Sequence, residues 1–128
     1  MADYEFTLPW PPTSNHFHQP IPFKRGNKWL ARNITSKEVE AYQVEVRKIM
    51  EDLMLSGEMI EKPVLINLTL HPKTNHKYDC SNFLKAYEDA LVKCGFFEDD
   101  HWIEYGSIRK GEKVKGGKIE ISVTIIDE

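Results

Sequence analysis

The segment VLINLTL, residues 64–70, constrains the fold of this chain more than any other, because its apolar residues recur at every second position. Val64, Ile66, Leu68 and Leu70 would all point to the same side of an extended chain. This period of two is typical of a strand with one buried face. The chain must therefore supply other strands and a covering layer of apolar residues.

Further segments are typical of strands. YEFTLP at residues 4–9 alternates in the same way, and HWIEYGSIRK (101–110) and KIEISVTII (118–126) close the chain as a pair of strands. NKWLARN, residues 27–33, is predicted as a short strand or hairpin arm. The proline-rich WPPTSNHFHQPIPF, residues 10–23, is predicted as a long loop, because proline cannot donate to a strand ladder.

Two segments show helical spacing instead. The first begins at Ser36, a good N-cap residue, and runs to Ser56–Gly57 with apolar positions at Val39, Tyr42, Val46, Ile49, Met50 and Leu53. The second ends near Gly95 and has its apolar stripe at Phe83, Leu84, Tyr87 and Leu91. The order β, loop, α, β, α, β, β predicts an α+β fold, a small mixed β-sheet with two helices packed on one face.

Composition limits the class of protein. The 128 residues predict one domain, and a formal net charge of −3 argues against a protein coated in positive charge. No run is long and apolar enough to span a membrane, and the start MADYEF lacks the pattern of a signal peptide, so a cytoplasmic protein is expected.

The stretch from 76 to 102 carries the candidate chemistry. Asp79 precedes the second helix, Lys85 lies on its polar side, and Asp100 ends an acidic run just after it. Two converging carboxylates can supply oxygens that Mg²⁺ prefers, and a lysine beside such an ion could neutralise charge on a phosphate.

The same residues have an ordinary structural interpretation. Asp79 could be a plain N-cap, Lys85 could pair with Asp89 at i,i+4, and the acids at 98–100 could form a solvated turn. Spacing alone favours this second interpretation, because such carboxylates are common on surfaces.

Four motifs occur in order along the chain: LPWPPTSNHFH, YDCSNFLKAYEDAL, GFFEDDHWI and KGGKIEISV. They resemble the opening signature, the Asp-x-Asp-Asn-x-x-Lys-x-x-x-Asp-Ala-Leu motif, the following acidic segment and the closing strand of the RusA family of Holliday junction resolvases. These are small dimeric endonucleases common in bacteria and their prophages. The resemblance covers nearly the whole chain and implies a single RusA-like domain over residues 1–128.

The resemblance also assigns roles to residues. It implies that Asp79 and Asp100 are metal-binding catalytic acids and that Lys85 is the catalytic lysine. Asn82 is the motif asparagine and is expected to organise the start of the helix. Asp89 matches the aspartate of the Asp-Ala-Leu part, where a role beside the site and a role in the fold both stay open.

Ser81 departs from the family pattern, which has an acid at this position. A serine hydroxyl can touch an ion directly or through water, so Ser81 is expected to support the metal. The open alternatives are weaker metal binding, replacement by a neighbour such as Glu88 or Asp99, and loss of cleavage with DNA binding retained.

The basic residues are segregated from the acidic ones. Taken alone, the basic run RKGEKVKGGK would be interpreted as a solvated turn, but a nucleic-acid enzyme would use it for phosphate contacts. The predicted DNA-binding residues are Lys24, Arg25, Lys28, Lys77, Arg109, Lys110, Lys113 and Lys115.

The function implied by the resemblance is a homodimeric, Mg²⁺-dependent endodeoxyribonuclease, with Mn²⁺ as a substitute. It would bind four-way DNA junctions and nick two opposed strands by in-line attack of metal-activated water. Two other classes stay open. One is a catalytically silent junction-binding protein, and the other is an α+β interaction domain that binds no nucleic acid.

Overall fold

A computed structural model of the chain describes residues 2–13, 18–25, 28–35, 37–75 and 77–126, with the backbone alone described for 18–25 and 28–35. In chain order the elements are β1 (Tyr4–Pro9), β2 (His18–Arg25), β3 (Lys28–Thr35), α1 (Lys37–Asp52), β4 (Val64–His71), α2 (Leu84–Lys93), β5 (Ile103–Lys110) and β6 (Lys118–Ile125). Short 3₁₀ helices at Cys80–Phe83 and Asp100–Trp102 precede α2 and β5.

Four strands form the main sheet in the order β1-β6-β4-β5. The pairs β1–β6 and β4–β6 are antiparallel, whereas β4 and β5 are parallel, so the sheet is mixed as predicted. The two closing strands are confirmed, but they lie on either side of β4 and do not pair with each other. The alternation in β4 is confirmed as well, because Val64, Ile66, Leu68 and Leu70 are all buried.

Both helices pack on the buried face of this sheet. Their core residues belong to the same apolar cluster as the strands: Tyr42, Val46 and Met50 from α1, and Tyr87, Ala90 and Leu91 from α2. The predicted α+β fold is therefore confirmed. Within the described ranges, neither helix is long and apolar enough to cross a bilayer.

The prediction of a long loop over residues 10–23 is wrong in its second half, because β2 begins at His18 and contains Pro20 and Pro22. Among the described strands β2 pairs with β3 alone, and β3 confirms the predicted hairpin arm. In a two-stranded ribbon one side of each strand needs no N–H donors. Backbone nitrogens two residues apart point to the same side of a strand. Pro20 and Pro22 can therefore both be accommodated on a side of β2 that needs no N–H donors.

The first helix is shorter than predicted, and its predicted N-cap, Ser36, lies outside the described residues. The helix ends at Asp52, followed by Met54 in the left-handed region at φ 60°. The Leu55 amide bonds the Met50 carbonyl at 2.8 Å and the Met54 amide bonds the Glu51 carbonyl at 3.0 Å, the pattern of a Schellman motif. The chain therefore leaves the helix before Gly57.

Gly95 determines how the chain leaves α2 and returns toward β5. It has φ +81°, and a Cβ atom there would lie 3.3 Å from both the Cα and the N of Gly57. The Met59 amide donates to the Gly95 carbonyl at 2.7 Å, so the two segments run side by side. The next residues, Phe96 and Phe97, are fully buried and anchor the path to Asp100.

We expect Gly95→Ala to lower the free energy of unfolding by more than Gly116→Ala does. Both glycines have left-handed backbones, which cost alanine about 1–2 kcal/mol. Only at Gly95 would the new methyl group also press on a neighbouring backbone, because nothing lies within 4 Å of a Cβ at Gly116. Urea unfolding of the two variants measures the difference, and equal losses would show that the contact with Gly57 is not tight.

Candidate active site

Asp79 is the N-cap of the 3₁₀ helix at Cys80–Phe83. The Ser81 amide and the Ser81 hydroxyl both donate to Oδ1 of Asp79, at 3.1 and 2.9 Å. The Asn82 amide donates to the Asp79 carbonyl at 3.1 Å. The capping interpretation of Asp79 is thus confirmed, and Asn82 lies at the helix start as expected. Because Asp79 stays exposed, the cap presents its carboxylate to solvent.

The surroundings of Asp79 favour its charged form. The hydroxyl of Ser81 lowers the pKa of Asp79 most, followed by the Ser81 amide, and the positive charge of Lys110 adds to this effect. Hydrogen-bond donors and a nearby cation both stabilise a carboxylate. In the structure Ser81 therefore supports the acid itself, and its predicted contact with a metal stays a prediction.

Lys85 joins the polar side of α2 to the segment that follows the helix. Its Nζ lies 3.3 Å from Oδ1 of Asp89 and 3.6 Å from Oδ2 of Asp100. The i,i+4 pair with Asp89 is confirmed, and Asp100 also approaches the amine. Partial burial opposes protonation, but the charges of Asp89 and Asp100 outweigh it and raise the pKa of Lys85. The amine is therefore cationic.

The acidic run at 98–100 divides into structural and candidate functional residues. Glu98 accepts a hydrogen bond from the indole of Trp102 at 3.0 Å. Asp99 accepts from the Asp100 amide at 2.8 Å and contacts Nδ1 of His101 at 2.7 Å, and these hydrogen bonds lower its pKa. Asp99 thereby caps the 3₁₀ helix at Asp100–Trp102. Among these three acids, Asp100 alone is within ion-pair distance of Lys85.

Glu88 is held by a tyrosine network that the sequence did not predict. The Tyr105 hydroxyl donates to Oε2 of Glu88 at 2.7 Å, and the hydroxyl of the fully buried Tyr87 is hydrogen-bonded to that of Tyr105. Burial raises the pKa of Glu88, and the negative charge of Asp100 adds to the effect. A half-buried carboxylate, close enough to Asp100 and Lys85 for their charges to act on it, is thus held in place by Tyr105.

The predicted site residues form two groups. Lys85 contacts both Asp89 and Asp100, whereas Asp79 contacts Ser81 at the other end of the segment. Asp79 and Lys85 are separated by roughly 10 Å of rise along the 3₁₀ and α-helical turns. The structure brings Asp100 to Lys85 but describes no contact between Asp79 and Asp100.

The donor chemistry suits a hard divalent cation that keeps much of its water. Such ions are commonly held by one or two carboxylates with water completing the shell, and Asp79 and Asp100 offer such oxygens. Within residues 2–13, 37–75 and 77–126, no three or more His, Cys, Asp or Glu side chains are close enough to hold an ion together. Each of the two carboxylates can therefore supply oxygens to a hydrated ion, and the described residues form no cage of three or more such side chains.

Two of the predicted DNA-binding side chains lie beside Asp79. Lys77 and Lys110 line the same open depression of about 530 Å³ as Asp79. Arg109, Lys113 and Lys115 are exposed nearby in sequence, at the end of β5 and in the turn after it. Lys24, Arg25 and Lys28 lie on the β2–β3 hairpin, and their side chains are outside the described part of the chain.

The basic turn at 111–117 is fixed to the end of β4. The Gly111 amide donates to the Leu70 carbonyl at 2.7 Å, and the Val114 amide donates to the Pro72 carbonyl at 2.9 Å. Nδ1 of His71 contacts the Glu112 carbonyl at 3.0 Å. The turn is therefore a built part of the fold that presents its lysines outward.

Known proteins resemble this chain over most of its length. The family model described as Endodeoxyribonuclease RusA matches residues 9–125. The Crossover junction endodeoxyribonuclease RusA of Escherichia coli O139:H28 is 35% identical over 124 residues, which are 97% of this chain and 96% of that protein. The proteins of the same name from Escherichia coli K12 and Enterobacteria phage 82 are each 34% identical over the same shares. The resemblance inferred from four motifs is confirmed.

We expect Glu88→Gln to be more stable than the wild type at about pH 8, and this advantage to disappear by about pH 4. The pKa of Glu88 is raised above 4.5 in the folded protein. The protonated Glu88 carboxyl therefore contributes its full stabilisation below the pKa that it has in the unfolded chain. That contribution is lost as pH rises through its pKa in the folded protein. Glutamine does not ionise, yet it can accept the Tyr105 hydrogen bond.

The measurement is urea unfolding in EDTA across this pH range. Glu40→Gln removes one exposed negative charge from α1 and is the matched control. A pH-independent difference between Glu88→Gln and wild type would contradict the assignment of a desolvated carboxylate.

Proposed function

This chain belongs to the RusA family of endodeoxyribonucleases, and we propose that it resolves four-way (Holliday) DNA junctions by nicking two opposed strands. The observation that carries the proposal is the ion pair between Lys85 and Asp100. These residues lie 15 positions apart at the family's lysine and acid positions, and packing of α2 against the sheet brings them together. A solvated surface turn would not require that contact.

Resolvases of this family generally need a divalent metal ion, and we infer Mg²⁺ here with Mn²⁺ as a substitute. Asp79 and Asp100 would hold it, and the Ser81 hydroxyl would support the ion or its waters. When bound, the ion would supply Lewis-acid activation of water and of the scissile phosphodiester. Asp89 would keep the lysine oriented from the helix side, at 3.3 Å.

Lys85 would stabilise the transition state of phosphodiester hydrolysis. Its amine is about half exposed and is kept cationic by two carboxylates, so it can face a phosphate without losing its proton. Negative charge builds on the phosphoryl oxygens during in-line attack, and a fixed cation lowers the energy of that state. The neighbouring acids hold the amine in place before DNA arrives.

DNA binding would come from phosphate contacts by the basic residues. Lys77 and Lys110 lie beside Asp79, and the docked turn presents Lys113 and Lys115. A four-way junction has near two-fold symmetry, so an isologous dimer would present one site to each of two strands. We infer this homodimer, a cytoplasmic location and no membrane association from the proposed substrate.

A catalytically silent junction-binding protein is the second candidate. The specific observation in its favour is that the Ser81 hydroxyl is bonded to Asp79 at 2.9 Å and brings no negative charge. The lysine and both matched acids are nevertheless present, so we rank cleavage first.

We expect the protein to make symmetric nicks in a synthetic mobile four-way junction with Mg²⁺ or Mn²⁺ and none in EDTA. Gel analysis of each labelled strand gives the nick positions. A linear duplex of the same sequence is the substrate control. Binding without nicks in either metal would assign the silent role and make Ser81→Asp the variant to test for restored cleavage.

We expect Asp79→Asn to abolish cleavage, a loss of more than about 100-fold, while junction binding in EDTA stays near that of the wild type. The change removes a ligand charge but no phosphate contact. Asp52→Asn, the same change at an exposed residue that ends α1, should cleave normally. Wild-type cleavage by Asp79→Asn would refute the site assignment.

A further inference from the structure

We propose that Lys110 is the positioning residue for Asp79, which it holds by clamping the preceding residue, Tyr78. Lys110 was predicted only as a phosphate contact. This inference deepens the proposed function and depends on it for the effect on cleavage, but the clamp itself is a property of the folded chain.

The clamp consists of two contacts to one residue. Nζ of Lys110 donates to the Tyr78 carbonyl at 3.0 Å, across 32 positions of sequence. The same atom lies 4.9 Å from the centre of the Tyr78 ring, within the range of a cation–π interaction. One ammonium group therefore holds both the backbone and the side chain of the residue that directly precedes the acid.

Tyr78 is itself fixed by two other aromatic rings. Its ring packs edge-on against Trp10 and Phe83, with centroids 5.7 and 5.8 Å away, and those two rings are 4.7 Å apart. Its hydroxyl is buried with no hydrogen-bond partner among the described residues, so packing holds the ring. A lysine bonded to such a residue cannot move far without breaking both contacts.

The clamp completes the restraint on Asp79. On the C-terminal side, Ser81 and Asn82 donate to the side chain and carbonyl of Asp79. On the N-terminal side, Lys110 holds the Tyr78 carbonyl, which belongs to the peptide unit that leads into Asp79. An exposed carboxylate is thereby held from both directions, and the positive charge of Lys110 acts on it as well.

The position of Lys110 in the fold links the two halves of the site. It is the last residue of β5 and is paired with Leu70 of β4, so its backbone is part of the rigid sheet. The same strand begins directly after the 3₁₀ helix that carries Asp100. β5 thus connects the 3₁₀ helix of Asp100, which directly precedes the strand, to the clamp of Lys110 on Tyr78 at the end of the strand.

The test compares Lys110→Met, which keeps the stem but loses charge and donors, with Lys110→Arg, which keeps both. Lys48→Met, an exposed α1 lysine with no assigned role, is the matched control. Three quantities are measured on the full chain: Ser81 amide hydrogen exchange by NMR without metal, junction affinity in EDTA, and the single-turnover nicking rate at saturating protein with Mg²⁺.

We expect Lys110→Met to speed Ser81 exchange by at least about threefold, because the capped turn loosens. Its saturated nicking rate should fall about 10- to 100-fold, because a displaced acid misses the reacting geometry. Lys48→Met should stay close to wild type in both measurements, and Lys110→Arg should exchange more slowly and nick faster than Lys110→Met, because it keeps the charge and the donors. A simple phosphate contact would instead weaken junction binding and leave Ser81 exchange and the saturated rate unchanged.

Ser81 exchange decides the inference. Wild-type exchange in Lys110→Met overturns it, whatever happens to the nicking rate. If the wild-type protein makes no nicks at all, the proposed function fails, but the exchange measurement still shows whether Lys110 positions Asp79.

Discussion

The candidate site depends on the burial of one face of a ten-residue helix, α2. A helix of this length is marginal in water by itself, so tertiary packing must stabilise it. Tyr87, Ala90 and Leu91 supply that packing, since all three are fully buried in the core. Their burial fixes the rotation of the helix and thereby aims Lys85 at Asp100. The chemistry of the polar side follows from the packing of the apolar side.

Each proposed acid has its own lysine. Asp100 is paired with Lys85, and the charge of Lys110 acts on Asp79. Exposed pairs of this kind contribute about 0–1 kcal/mol to stability, so they do not explain why the fold forms. The fold brings the charges together, and their effect is to keep two carboxylates near the proposed DNA-binding surface without strong repulsion of phosphate. This local balance of charge depends on where the lysines and acids lie and not on the net charge of −3.

The sequence predicted the elements whose apolar residues recur at a regular spacing, and it did not predict the contacts that have no such spacing. The main strands, both helices and the mixed sheet followed from repeats of two and 3.6 residues, and four motifs located Asp79, Lys85 and Asp100. β2 was missed because prolines normally argue against a strand, and the pairing that tolerates them is visible only in three dimensions. The clamp of Lys110 on Tyr78 and the bond of Tyr105 to Glu88 join residues 32 and 17 positions apart. No spacing rule connects such residues, because sheet order and helix rotation bring them together.

Ser81 stands where the family has an acid, and its contact with Asp79 shows how this changes the electrostatics of the site. A carboxylate at this position would lie beside that of Asp79, and two adjacent acids repel unless a cation stands between them. The hydroxyl instead donates to Oδ1 of Asp79 at 2.9 Å, so the acid is held in place without any ion. The site would then offer a metal one negative charge fewer but would keep a preformed carboxylate. Because a preformed ligand needs less ordering when the ion arrives, the loss of charge and the gain in organisation act in opposite directions on metal affinity.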